Sequence, residues 1–177
     1  MGNANTALLA QQQKDKQKEH FWNSYEFWAQ KYLQRPIFKG TPITGKMLRN
    51  AAEDTYNTTG ILVPIDLVLA QGQRETMFGL KGRKHKETNP FNVGEFDNKT
   101  TMTFETPEEG VQAYYNLMAN DYLSTKSPEE LKENFVNKDG LRYATDVGYE
   151  DYLKSQTAYI KQWSNKILQE IKNGRND

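Results

Sequence analysis

The chain contains no cysteine, which excludes a disulfide framework, a thiolate metal site and a thiol nucleophile. Its only histidines, His20 and His85, lie far apart in the sequence, so a histidine-rich metal site is excluded and we expect neither a metal nor another cofactor. An excess of one charge is also missing, because 23 Lys and Arg residues balance 23 Asp and Glu residues. A nucleic-acid-binding protein normally carries a basic excess, so we expect no nucleic-acid partner.

Long apolar segments are missing too. The longest apolar run, residues 61–70, is interrupted by Pro64 and Asp66, so we expect no segment to span a membrane. The first sixteen residues, MGNANTALLAQQQKDK, lack the apolar centre of a secretory signal, and we therefore expect synthesis in the cytoplasm without a signal peptide. The length of 177 residues predicts one domain, with room for an appendage.

An aromatic stripe follows the polar residues 1–18, which can either extend a helix or stay disordered. Phe21, Tyr25, Trp28 and Tyr32 recur at helical spacing and predict an amphipathic helix over residues 19–34. The stripe is widened by Trp22, Ala29 and Leu33. This helix either packs onto its own domain or docks onto another protein chain. Both alternatives remain open from the sequence.

The segment 35–45, RPIFKGTPITG, is punctuated by proline and glycine and is the best candidate for a domain boundary. We therefore divide the chain into an N-terminal appendage or attachment element, residues 1–40, and a main domain, residues 41–177. Because the motifs described below all lie after residue 45, we expect the main domain to fold without residues 1–34.

The main domain is predicted to be mainly helical, with a small β element that makes it formally α+β. Helices are predicted over 46–57, 64–79, 106–123 and 149–172, with a short helix starting at Ser127. Thr106 and Ser127 are predicted to be helix N-caps, because each is followed by a proline at the first helical position and a glutamate at the third. Gly60 is placed to end the first of these helices. Alternation over residues 96–105 predicts a short β-hairpin.

One acidic residue lies where a solvated side chain is not expected. Glu75 shares a helix face with Val68 and Gly72, so its carboxyl should lose water on folding. Desolvation raises a carboxyl pKa above the ordinary value of about 4.3, and a glutamate that keeps its proton near neutral pH suits general acid catalysis. The alternative is an ordinary ion pair with a neighbouring cation: Arg74, Lys81 or Arg83.

Four segments together resemble one known family. They are AQGQRETMFG at 70–79, NPFNVG at 89–94, the helix at 106–123 and GLRYATDVGY at 140–149. In order and spacing, over roughly residues 46–163, they are similar to the lysozyme-like peptidoglycan hydrolases. That group includes flagellar and autolysin-type glucosaminidases, soluble lytic transglycosylases and goose-type lysozymes. The resemblance implies a lysozyme-like helical domain with a small β-hairpin lobe.

The resemblance also implies an activity, the cleavage of β-1,4 glycosidic bonds between the amino sugars of peptidoglycan strands. Glu75 matches the family's catalytic acid. A second carboxylate is needed in a two-carboxylate mechanism, and Asp97 and Glu95 in the predicted hairpin are the first candidates. In the transglycosylase relatives a single glutamate serves as acid and base. Because the hairpin is short, we favour muramidase-like or transglycosylase cleavage over glucosaminidase cleavage.

Further residues match the family at the groove. Thr76 is expected to hydrogen-bond the acid or the sugar, and Asn92 to bond an N-acetyl group. Tyr143 and Tyr149 match family tyrosines near the groove, although each also fits a buried hydroxyl with one partner. The polar Gly72-Gln73-Arg74 before the acid departs from the family pattern.

A function of a different class is compatible with the same sequence. The chain can be a catalytically inactive lysozyme-like protein that serves a structural role in a phage particle or another assembly. An active virion protein also fits, because it would be made without a signal, join its particle through residues 1–34, and act in the periplasm or cell wall on infection.

Overall fold

The structure, a computed structural model, describes residues 2–94 and 102–175, and these residues are mainly helical, as predicted. The α-helices in chain order are α1 Gly2–Leu33, α2 Gly45–Thr59, α3 Ile65–Thr76, α4 Pro107–Leu117, α5 Pro128–Glu133 and α6 Tyr149–Arg175. A 3-10 helix, Pro36–Phe38, follows α1, and a π-helical segment, Met118–Tyr122, continues α4. Within the described ranges, no helix combines the length and apolarity needed to cross a bilayer.

The predicted β-hairpin falls largely on residues that the structure does not describe. Residues 95–101, which include Glu95 and Asp97, lie outside the described ranges, and residues 102–105 contain no strand. Among the described residues, Val136 and Arg142 form an isolated antiparallel β-bridge.

The ends of the helices follow local chemistry, and the caps predicted at Thr106, Ser127 and Gly60 are confirmed. The Thr44 and Thr106 side chains cap α2 and α4 by accepting hydrogen bonds from Met47 and Glu109 amides, and Ser127 forms a reciprocal capping box at α5. Gly60 ends α2 at a φ of 75°, the left-handed backbone that glycine adopts without strain.

Helix α1 is longer than predicted, and its two halves have different surroundings. The polar N-terminal residues continue the helix, and residues 3–21 are exposed. The second half is buried along a stripe of Trp22, Tyr25, Ala29, Tyr32 and Leu33. The predicted stripe was therefore wrong at Phe21, which is 43% exposed, whereas Trp28 is half-buried and packs edge-on against Trp163.

The buried half of α1 belongs to the core of the main domain. The Tyr25 hydroxyl lies 2.9 Å from the Val63 carbonyl oxygen, to which it donates, and 2.7 Å from the Tyr115 hydroxyl. A side chain at Gly45 would come within 2.6 Å of the Glu26 carbonyl oxygen, so α1 and α2 are in close backbone contact. Burial therefore favours packing of this helix on its own domain and speaks against folding without residues 1–34.

Helix α3 occupies the centre of the molecule. Residues 67–72 are all buried, and α1 and α6 pack against the helix. It ends in two residues with left-handed backbone, Met77 and Phe78, and the Phe78 amide donates to the Gly72 carbonyl at 3.1 Å. Any side chain at Gly72 would overlap the Phe78 ring, so glycine is required there. This ending places the last turn of α3, with Glu75, at the surface of the core.

Candidate active site

Glu75 lies in the last turn of α3 and is half-buried. It lines a cavity of about 330 Å³ together with residues from the end of α3, the loop that follows it and α6. The other lining residues are Gln73, Arg74, Thr76, Met77, Lys81, Gly82 and Tyr152. The sequence predicted Glu75 on the buried face of its helix, whereas in the structure the residue is half-buried and lines an open cavity.

A side-chain amide holds the Glu75 carboxylate in place. Asn92 donates from Nδ2 to Glu75 Oε2 at 2.7 Å, and the same nitrogen lies 3.4 Å from the Glu75 main-chain oxygen. Asn92 has a φ of 53°, a left-handed conformation that asparagine tolerates better than most residues. The sequence placed Asn92 at the site as a ligand for substrate, whereas the structure shows it bound to Glu75 itself.

The loop that carries Asn92 is fixed by a buried asparagine. Asn89 is 2% exposed, and its side chain accepts from the Val93 amide at 2.9 Å. It also donates to the carbonyl oxygens of Val93 and Met102, at 2.9 and 3.0 Å. Because one amide closes both ends of the turn, Asn92 is held at a fixed position opposite α3.

Thr76 ties α3 to this loop. Its hydroxyl donates to the Pro90 carbonyl oxygen at 2.6 Å and accepts from the Gly79 amide at 2.8 Å. The residue is 2% exposed. Both contacts stabilise the backbone around Glu75, so the geometry assigns Thr76 a supporting role beside the acid.

Tyr143 and Tyr149 lie together beneath the site, with rings nearly parallel and centroids 6.0 Å apart. The Tyr143 hydroxyl donates to the Phe91 carbonyl at 2.6 Å, and the Tyr149 hydroxyl accepts from Gln71 Nε2 at 3.0 Å. Burial raises the pKa of both phenols well above the usual range, and the negative charge of Glu75 raises it further. Both hydroxyls therefore stay protonated close to the Glu75 carboxyl.

Gln71 and Tyr114 complete this polar network and were not singled out from the sequence. Gln71 is fully buried one turn before Glu75, and its Oε1 accepts a hydrogen bond from the Tyr114 hydroxyl. The Tyr114 ring stacks on Phe91 with centroids 3.8 Å apart. A glutamine on the buried face of the helix, four residues before the acid, was the available signal.

The cation next to the acid has its own partners. Arg74 forms an ion pair with Asp146, and its guanidinium carbon lies 5.0 Å above the Tyr152 ring. The Gly148 amide and Arg74 both hold the pKa of Asp146 below its ordinary value. Arg74 thus joins α3 to the segment before α6, along one wall of the cavity.

Two of the predicted site residues cannot be placed, because Glu95 and Asp97 lie outside the described residues. The remaining five, Glu75, Thr76, Asn92, Tyr143 and Tyr149, are brought together around the end of α3. In the described part of the chain, no group of three or more His, Asp or Glu side chains is arranged to hold a metal ion. Among the described residues, the site offers the amide-held carboxyl group of Glu75 at an open cavity, with the protonated hydroxyls of Tyr143 and Tyr149 within its electrostatic influence.

Comparisons with family models, with curated proteins and with solved structures find no match to this chain.

Proposed function

We propose that this protein is a glycosidase that cleaves β-1,4 bonds between the amino sugars of peptidoglycan, with Glu75 as the general acid. The observation that carries the proposal is the Glu75 carboxyl at the cavity, held by Asn92 at 2.7 Å. Support also comes from the four sequence segments that resemble lysozyme-like peptidoglycan hydrolases. Three of them, at 70–79, 89–94 and 140–149, meet at this one place in the fold.

The first chemical step needs only Glu75. Its carboxyl transfers a proton to the glycosidic oxygen, the bond between that oxygen and the anomeric carbon breaks, and the electron pair goes to the oxygen. Positive charge develops on the sugar ring that keeps the anomeric carbon. The Glu75 carboxylate left behind lies beside that ring and stabilises the charge.

Two routes complete the reaction. In hydrolysis, water adds to the anomeric carbon and a second carboxylate, Asp97 or Glu95, takes its proton or first forms a covalent intermediate. In the single-glutamate route, a hydroxyl of the same sugar attacks the anomeric carbon and returns its proton to Glu75, which leaves an anhydromuramyl end. We favour the muramidase or transglycosylase outcome over glucosaminidase cleavage, because the predicted hairpin is short.

The surrounding residues have supporting roles in this proposal. Asn92 positions the acid, Thr76 fixes the loop against α3, and Tyr143 and Tyr149 supply protonated hydroxyls whose pKa the charge of Glu75 helps to raise. The tyrosine hydroxyls bear no charge in this state, so they do not compete with Glu75 for the proton.

The exposed half of α1 favours an additional attachment role. Residues 3–21 are exposed although they continue a helix whose second half is buried. We propose that this protruding segment joins the protein to a particle or another assembly, as in a virion-associated enzyme that meets the cell wall on infection. An inactive structural protein of the same assembly is the rival, and it differs in having no need of Glu75.

The variant Glu75→Gln tests the proposal. The amide keeps the shape of the side chain and its contact with Asn92, but it has no proton to transfer, so lysis of purified cell walls should fall by at least about 10²-fold. Glu170→Gln, an exposed change on α6, is the matched control and should lyse walls at the wild-type rate. Near wild-type lysis by a folded Glu75→Gln protein would remove Glu75 from the mechanism.

A further inference from the structure

A basic loop, residues 81–86 (KGRKHK), borders the cavity that holds Glu75. It carries four Lys and Arg side chains in six residues, in a chain whose formal net charge is zero. The proposed chemistry of Glu75 makes no use of these charges. Their concentration at one place therefore needs a separate explanation.

The loop is attached directly to the end of α3, the helix that carries Glu75. The amides of Leu80 and Lys81 both donate to the Thr76 carbonyl oxygen, at 3.0 and 2.8 Å. Lys81 lines the same cavity as Glu75. A side chain at Gly82 would lie 3.8 Å from the Glu75 carbonyl oxygen, so the loop backbone passes beside the acid.

The backbone of the loop is held by hydrogen bonds of its own. The Lys86 amide donates to the Arg83 carbonyl at 3.1 Å, and the Asn89 amide to the His85 carbonyl at 2.8 Å. Lys81 and Lys84 are exposed. Within the described ranges, Lys86 is the loop lysine that forms an ion pair, and its Nζ lies 3.7 Å from Glu87 Oε1.

The charges on the opposite wall do not cancel this positive edge. Arg74 and Asp146 neutralise each other in an ion pair, and Glu75 is neutral in the protonated form that the proposed acid catalysis requires. Among the described residues at this edge, a ligand strand that crosses the cavity would meet the exposed ammonium group of Lys81, with that of Lys84 three positions further along the same loop. Such an edge attracts carboxylates and raises their local concentration.

We propose that Lys81 and Lys84 bind carboxylates on the side branches of the glycan strand, next to the bond that Glu75 cleaves. This inference rests on the proposed function and makes it more specific. It assigns the substrate to the anionic strands whose sugars carry lactyl or peptide carboxylates, and it disfavours neutral strands built from N-acetylglucosamine alone. The two lysines are then specificity-determining residues.

The test measures binding in the non-cleaving Glu75→Gln protein. Three oligosaccharides of equal length are compared: neutral N-acetylglucosamine oligomers, muramyl strands with free lactyl carboxylates, and muramyl strands with stem peptides. The double variant Lys81→Gln/Lys84→Gln is set against Lys14→Gln/Lys16→Gln, which makes the same charge change on the exposed half of α1.

Neutralising the loop should weaken binding of at least one anionic strand about tenfold, since each exposed ion pair contributes up to about fivefold. Binding of the neutral strand should stay the same, and added salt should reduce the difference. Which anionic strand responds identifies the lactyl or the peptide carboxylate as the bound group.

The inference is overturned if each double variant binds the neutral strand and the two anionic strands with the same affinity, even if the wild-type enzyme cleaves the wall. Conversely, loop-dependent binding of anionic strands by a protein whose wild type leaves the wall intact would uphold the inference and reject the proposed activity.

Discussion

At the scale of single residues, the site depends on one contact between helix α3 and the loop at 89–94. Asn92 reaches the Glu75 carboxylate across 17 positions of sequence, and its own backbone is held by Asn89. The sequence analysis assigned both residues to one site but did not predict the contact between them. Motif spacing shows which segments are related, whereas the direction of a side chain depends on how the turn is closed.

We predict that Asn92→Gly lowers catalytic turnover more than substrate binding. Glycine accepts the left-handed backbone at this position, so the fold is kept while the amide that holds Glu75 is lost. A misplaced catalytic group costs up to about 10²-fold in rate. Steady-state kinetics on soluble glycan fragments should show a reduced kcat with little change in KM, and an unchanged kcat would exclude the positioning role.

A second prediction at this scale concerns acid stability. Arg142 binds Glu150 through two nitrogens, at 2.6 and 2.8 Å, and the Phe135 amide donates to the same carboxylate at 3.0 Å. These hydrogen bonds, with that of Arg142 first, lower the pKa of Glu150 to about 2. A depressed folded-state pKa adds stability above the ordinary pKa of a glutamate, and this contribution is lost as the pH falls toward about 2.

Glu150→Gln should therefore lower the thermal midpoint at pH 7 and flatten its fall between about pH 5 and pH 2. Thermal unfolding followed by circular dichroism across this range measures both effects. Glu170→Gln, on the exposed part of α6, serves again as control. A parallel pH dependence in the wild type and the Glu150 variant would contradict the assigned pair.

At the scale of elements, local signals predicted where helices start, and tertiary packing decided which face is buried. The caps at Thr106 and Ser127 depend on three or four consecutive residues, so the sequence alone was sufficient. The buried stripe of α1 depends on distant partners such as Tyr115, 90 residues from Tyr25. Nothing near Phe21 or Trp22 shows which of the two rings will meet α2.

Two truncations of α1 should therefore behave differently. Removing residues 1–18 deletes only exposed helix, and the remaining chain should keep its fold, its thermal midpoint and its activity. Removing residues 1–34 also deletes Trp22, Tyr25 and Tyr32, each worth roughly 1.5–3 kcal/mol when buried. Against a typical total stability of about 5–15 kcal/mol, that loss should unfold the domain.

Thermal unfolding of the two truncated chains separates the functions of the two halves of α1. A cooperative transition in residues 35–177 near the wild-type temperature would show that the aromatic half is dispensable. If the shorter truncation folds and lyses walls but no longer associates with a particle, the exposed half is the attachment element.

At the scale of the whole molecule, a balanced net charge hides an uneven distribution. The basic loop follows the helix that carries the candidate acid, and its six residues hold four of the 23 Lys and Arg residues of the chain. The mainly helical class was predictable from hydrophobic spacing. The meeting of three segments at the end of α3 was not predictable from spacing alone, because it depends on the packing of α3, α4 and α6 around the buried network of Gln71.

In the proposed function, this arrangement of Glu75 and its neighbours cleaves glycosidic bonds of the cell wall. The most direct measurement is digestion of purified peptidoglycan by the full-length protein, followed by mass analysis of the released fragments. Our account predicts glycan fragments ending in muramic acid, in reducing or anhydro form, from the wild type and none from Glu75→Gln. Fragments ending in reducing N-acetylglucosamine would contradict the preferred bond, and intact glycan strands after digestion by the wild type would contradict the activity itself.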